Sequence, residues 1–417
     1  MAEARYADLL GRLDRARSLG VDFGLDRVRG ALARMGDPQR RFAAVQIAGT
    51  NGKGSTAAMT EAIFRAAGWR TGLYTSPHLA RFTERIRIGG QEASGDWLAE
   101  LDARVVASNV PLTYFEIATA LAFLAFAEAG VQIAVLETGL GGRLDAVTTC
   151  EPAATAVTTI ALDHTEYLGG SLVAIAREKA GIIKPAVPHL IGPLPPEAEA
   201  EMARAAAAAG APLLRYGPDF GAPYTPPALA GPHQRVNAAI AVELSRQAAA
   251  RLERTLWPEA IAAGLADVRW PGRLERLQAG GGDVLLDCAH NPEGARALAE
   301  ALPAQAGGRP VALVLSVVRD KDARSLVAAL APAIGTLVAT RSASARATPP
   351  AELAAAARDV VPETTAIEDP AAALAEARRR AGPDGLVVIA GSIFLVGELR
   401  ARLLGEPVDP RPVSDPL

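Results

Sequence analysis

Cysteine is nearly absent from this 417-residue chain. Cys150 and Cys288 are the only two, far apart and without metal-ligand spacing, which excludes a cysteine-built metal site and makes a reducing, cytoplasmic setting the expectation. Charge of one sign is not in excess. The net charge is −3, with acids and bases interspersed, so no nucleic-acid groove and no polybasic membrane patch is expected. Long apolar runs are missing too. The most apolar helical stretch, Ile117 to Ala127, is too short to span a bilayer and is bounded by Glu116 and Glu128. The opening "MAEARYADLL" is charged from the start, unlike a secretory leader.

Lysine is the more telling scarcity. Of 43 Lys plus Arg residues only four are lysine: Lys53, Lys179, Lys184 and Lys321. Arginine is the default cation, so a lysine marks a place where a compact ammonium or a deprotonatable amine is needed. Histidine is almost as rare, and His78, His164, His233 and His290 all fall inside the motifs below.

Half the residues are apolar, enough for sizeable cores, and the length suggests two domains. Short apolar runs such as "RFAAVQIAG", "RTGLYTS", "VQIAVLETG" and "AATAVTTIALD" read as strands. They alternate with helical patterns, including "YFEIATALAFLAFAEAG" closed by Gly130 and "SLVAIAREKAGIIK". The expected fold is α/β, with a mostly parallel sheet in an N-terminal domain over residues 1–280. "QAGGGD" (Gln278 to Asp283) is the expected linker, with a hinge near Gly280 to Gly282. Beyond it, residues 281–417 repeat the alternation as a smaller Rossmann-like domain, ending in a loose proline-rich tail.

The stretch "IAGTNGKGSTAAM" runs from strand through glycine loop to helix, the order phosphate binding needs. Gly49, Gly52 and Gly54 let backbone N–H groups turn toward an anion, with Thr50 and Asn51 between them. Lys53 can reach terminal phosphates, and Ser55 or Thr56 can offer a hydroxyl to magnesium, so the N-terminal unit is expected to be a P-loop-containing ATPase domain. The spacing is not a strict Walker A, because Gly54 intervenes before Ser55.

"GTNGKGS", "SPHL", "ETGLGGRLD", "LDHTEYLG", "REKAGIIK", "DCAHNP" and "GSIFLVGELR" follow one another in this order. Together they resemble the folylpolyglutamate synthase/dihydrofolate synthase family, a branch of the Mur ligases, over nearly the whole chain. The resemblance implies that ATP phosphorylates a carboxylate of a folate, or of dihydropteroate, and that L-glutamate captures the acyl phosphate. It implies no nucleic-acid or membrane partner, and a monomer. A Mur-type ligase for another acid and a P-loop nucleotide switch are the alternatives.

Site roles follow from the same resemblance. Ser55, Ser76, Glu137 and His164 are expected near magnesium, with two ions in all. Lys179 is expected to carry a carbamate that binds the second ion, which needs an amine of depressed pKa. Asn237 is expected on adenine, Arg273 on the ATP phosphates, and Asp287 and His290 on ribose and incoming glutamate. Ser392 is a further glutamate contact, and Arg85, Phe115 and Arg143 are folate contacts. Two departures stand out: "LDAVTTC" replaces the usual "LDATN", and "TTI" at Thr158 to Ile160 replaces a frequent "TNI".

Overall fold

The computed structural model describes residues 2–17, 24–279 and 281–409. Eight strands build the first sheet: β1 (Ala43–Ala48), β2 (Thr71–Tyr74), β3 (Ile86–Ile88), β4 (Gln91–Glu92), β5 (Ile133–Glu137), β6 (Pro152–Val157), β7 (His189–Ile191) and β8 (Leu213–Arg215). Their order is β4-β3-β2-β5-β1-β6-β7-β8, parallel except for the β3 and β4 edge. The central strands β1, β5 and β6 are buried almost throughout, as a sheet covered on both faces requires. Helix Tyr114–Glu128 packs in the core on one side. Helices Lys53–Ala66 and His233–Arg251 cover the other, with Pro258–Asp267 laid over them.

Six strands form the second sheet: β9 (Glu275–Ala279), β10 (Gly282–Leu286), β11 (Val311–Leu315), β12 (Thr336–Ala339), β13 (Thr364–Ala366) and β14 (Leu386–Ala390). The order β13-β12-β11-β14-β10-β9 is parallel apart from β9. The expected two-domain α/β architecture is therefore present.

The expected linker is not a linker. β9 and β10 pair antiparallel, Ala279 opposite Gly282 and Glu275 opposite Leu286, so the 280/281 boundary falls in the turn of a hairpin inside the second sheet. Gly281, at φ 81, occupies the left-handed region that such a turn favours, while Gly280 lies outside the described residues. The units are joined by residues 268–274, between helix Pro258–Asp267 and β9. A hinge at the glycine run has no support in this arrangement.

Two smaller differences concern chain ends. The helix expected over 171–184 stops at Ala180, and the Lys184 ammonium instead donates to the Thr148 carbonyl at 3.3 Å. The expected loose tail is pinned as far as Asp409. Its N–H donates to Ala80 O at 3.1 Å, and its carboxylate accepts from Phe82 N at 2.7 Å and Tyr6 Oη at 3.1 Å. Residues 410–417 lie outside the described part.

Candidate active site

Four strands of the first sheet deliver their carboxyl ends to one place. β1 leads into the glycine loop, where Gly49 and Gly52 take φ of 147° and 84°. A β-carbon on Gly49 would lie 1.9 Å from Thr158 Oγ1, and one on Gly52 would lie 2.5 Å from Asn237 Oδ1. Backbone shape and lack of room both demand glycine. The loop is braced by the "TTI" segment. Thr50 N donates to Thr159 O at 2.8 Å, Asn51 N to Thr159 Oγ1 at 3.0 Å, and Thr158 Oγ1 to Asn51 O at 2.6 Å. Thr159, which stands where the frequent asparagine would, thus holds the loop together with Thr158. Lys53 opens the helix, its Nζ 3.1 Å from Gly49 O and 3.2 Å from Thr50 O.

β5 ends at Glu137, whose Oε2 accepts the Ser76 N–H at 3.2 Å. Burial pushes its carboxyl up to about 7, although Lys53 and the Ser76 N–H pull the other way. The turn after Glu137 is tied by Asp145, which accepts from Gly139 N at 2.9 Å, Leu140 N at 3.0 Å and Val147 N at 3.0 Å.

Lys179 is buried and donates to Gly49 O at 2.8 Å. Burial, then the nearby Lys53 charge, lowers its ammonium to about 7. His164 follows β6 in a left-handed conformation, and burial lowers it to about 4.

The second unit closes the site. His290, Lys321 and Ser392, with Arg273 of the 268–274 connector, share a cleft of ≈ 160 Å³ with Gly49, Thr50, Lys53, Ser76, Phe115, His164 and Lys179. Asp163 joins the halves: its carboxylate is paired with Lys321, lies 3.8 Å from His290 Nε2 and accepts from Asn291 Nδ2 at 3.3 Å. Burial alone would raise the Asp163 carboxyl, but His290, His164 and Lys321 hold it well below the carboxylate range. A second bridge joins Asn51 to Glu293 Oε2 at 2.6 Å and to Asn291, whose Nδ2 is 3.0 Å from Asn51 Oδ1.

Sequence reasoning missed Asp163, Asn291 and Glu293 as site residues. It noted Lys321 as a rare lysine and as part of "SVVRDKD", where Asp320 and Lys321 stand as the resembling family has them, but gave it no site role. Neither signal could pair it with Asp163, because Lys321 and Asn291 come from the other unit.

Some expected residues lie beneath the cleft and not on it. Ser55 Oγ accepts from Gln234 Nε2 at 3.3 Å, and Asn237 packs beside Gly52. Asp287 accepts from Leu274 N at 3.0 Å and Ala289 N at 2.9 Å, so it shapes the turn before His290, and it is buried. Arg85 is fully enclosed, with Nε 2.7 Å from His78 Nδ1 and its guanidinium over Phe82 and Tyr114. An enclosed side chain cannot meet a substrate in the cleft. Arg143 points outward into a half-exposed pair with Glu178 at 2.9 Å. A wider recess of ≈ 650 Å³ between helix His233–Arg251 and residues 219–225 holds none of the motif residues.

The chain matches the Mur ligase middle domain over residues 47–243 and the Mur ligase glutamate ligase domain over residues 272–393. It is 35% identical to the dihydrofolate synthase/folylpolyglutamate synthase of Mycobacterium tuberculosis, over 93% of this chain and 91% of that relative. The chain belongs to the folylpolyglutamate synthase/dihydrofolate synthase family.

Another relative, a probable bifunctional folylpolyglutamate synthase/dihydropteroate synthase of Halobacterium salinarum, is 36% identical over 95% of this chain. The chain spans about half of that relative's length, 52%. Solved members of the family share the fold. M. tuberculosis folylpolyglutamate synthase complexed with ADP superposes with a TM-score of 0.90 at 32% identity, covering 98% of this chain and 100% of that one. E. coli FolC in complex with DHPP and ADP gives 0.88 at 30%, covering 96% and 98%. The Yersinia pestis bifunctional enzyme complexed with AMPPNP and a manganese ion gives 0.86 at 31%, also covering 96% and 98%. In this family member, no helix among the described residues is long and apolar enough to cross a membrane.

Proposed function

We propose that this chain uses ATP to join L-glutamate to a folate, through an acyl phosphate of the folate's own carboxylate. One observation carries the reading. The phosphate loop, Lys53 and, from helix Leu172–Ala180, Lys179 line one cleft with Arg273 of the connector and with His290 and Lys321 of the second unit, and Glu137 ends β5 beside that loop. Lys53 and the amino end of its helix hold phosphate oxygens, and Arg273 adds positive charge from the connector. Asn237, beside the loop, is the partner on the adenine side. His290, Ser392 and Lys321 offer polar and cationic lining to the carboxylates of the incoming glutamate. Phe115 lines the wall that receives the folate acid.

Ser55, Ser76, Glu137 and His164 are the residues for a divalent ion. Among the described residues no three His, Cys, Asp or Glu side chains converge as a self-sufficient metal site. A sparse set of mostly oxygen donors fits magnesium, which keeps waters and takes further ligands from phosphates. When bound, magnesium supplies charge that screens a carboxylate's approach to a triphosphate.

Lys179 suits a carbamate. A buried amine that is half neutral near pH 7 can react with carbon dioxide, and the product is an anion that gives a second ion its ligand. Arginine could not do this. The buried free thiols of Cys150 and Cys288 support a reducing, cytoplasmic setting.

The test uses purified protein, ATP and labelled glutamate, with tetrahydrofolate or dihydropteroate offered in parallel. Glutamate incorporation and ADP release should both require the acid acceptor. ADP release that ignores acceptor and glutamate would favour a nucleotide switch. The two arms also decide which acids are accepted.

A further inference from the structure

Gly54 is the residue that separates "GTNGKGS" from a strict Walker loop, and the backbone does not explain it. It lies inside helix Lys53–Ala66 and is not among the residues of positive φ. What Gly54 lacks is room. A β-carbon there would stand 3.1 Å from the indole Nε1 of Trp270, 3.4 Å from the Trp270 ring carbon Cζ2 and 3.4 Å from Glu137 Oε2.

Trp270 belongs to neither unit's regular structure. It sits in the 268–274 connector, packed against both apolar clusters that flank helix Lys53–Ala66, with the Arg87 guanidinium 5.2 Å from its ring centroid. Three residues further on, Arg273 lines the cleft, its Nη1 donating to Gly272 O at 2.9 Å. One short segment therefore touches the first turn of the phosphate helix with an indole and reaches the cleft with a guanidinium.

We propose that Trp270 is a positioning residue that couples the nucleotide loop to the interdomain connector. Gly54 leaves the space in which the indole rests on the phosphate helix. A shift of that first turn when nucleotide binds is passed through the ring to the connector and so to Arg273. Tight packing makes the transfer direct, since a ring in contact on one side and anchored on the other cannot absorb the motion. The proposal rests on the loop being the nucleotide site.

The full-length wild type is compared with W270F, W270A, G54A and G54A/W270A, using ADP with magnesium as the probe. Binding is read by calorimetry and by tryptophan emission. ADP should change the emission of the wild type, and W270F should lose that change while binding ADP within about threefold of wild type. G54A should weaken ADP about tenfold, but by less than about twofold in the W270A background, where the space is already free. If the wild type does not bind ADP, the nucleotide reading fails and the coupling falls with it. If ADP binds, an undiminished emission change in W270F overturns the coupling alone. An equal cost of G54A in both backgrounds does the same.

Discussion

The Lys179 ammonium nitrogen stands 2.8 Å from the carbonyl oxygen of Gly49, so a buried cation is tied to the first residue of the phosphate loop. Burial lowers this ammonium to about 7, so the reactive neutral amine grows as pH rises through 7 and not near the ordinary lysine range. Uptake of labelled carbon dioxide should follow that rise. Lys179→Arg keeps a cation but cannot form a carbamate. Its turnover should fall at least about a hundredfold, with little change in Tm. Normal turnover in Lys179→Arg would remove the carbamate from the scheme.

Asp163 and Lys321 pair across the two units, with side chains only 9% and 11% exposed. Removing one partner leaves a poorly hydrated charge behind, so each single change should cost more than the double change implies. In a cycle of Asp163→Asn and Lys321→Met, thermal unfolding should give a coupling of about 1–3 kcal/mol. Simple additivity would mean the pair does not hold the units together.

Much of this site was legible in the sequence because its residues sit at strand ends or in a short helical motif. The loop from Gly49 to Ser55, Glu137 after an apolar strand, and Lys179 as a rare lysine all stand where short-range pattern puts them. What stayed hidden depends on partners from elsewhere. Arg85 reads as a surface arginine until Phe82 and Tyr114 close around it. Asp163 reads as the neighbour of His164 until Lys321 and Asn291 arrive from the second unit. "ERLQA" offers only Leu277 and Ala279 as apolar positions, too few to announce an edge strand, so the glycines after it passed for a linker.

His189 gives a pH effect away from the site. It is fully buried on β7, its Nδ1 2.8 Å from Thr155 Oγ1, and burial lowers it to about 3. Between the ordinary histidine value, about 6.5, and 3, the unfolded chain binds a proton that the fold refuses. Stability is therefore complete above 6.5 and drains as pH falls through that window. His189→Gln should flatten the slope of unfolding free energy against pH there by about one proton. An unchanged slope in urea titrations would show that His189 does not bear this cost.

Asp409 fastens the end of the second unit to the loop that follows Ser76. Its carboxylate satisfies Phe82 N and Tyr6 Oη, and the neighbouring Pro407 carbonyl accepts from Arg81 Nη1 at 3.2 Å. Asp409→Ala leaves a buried N–H without its acceptor. Unfolding should become easier by about 1–3 kcal/mol. A stability equal to wild type would show that the tail contact is incidental.

The acyl-phosphate route is tested most directly by following oxygen. With heavy oxygen in the carboxylate of the folate acceptor, turnover with ATP and L-glutamate should deliver one labelled oxygen into inorganic phosphate for each amide bond formed. Labelled amide product accompanied by wholly unlabelled phosphate would contradict activation of the acid by phosphoryl transfer.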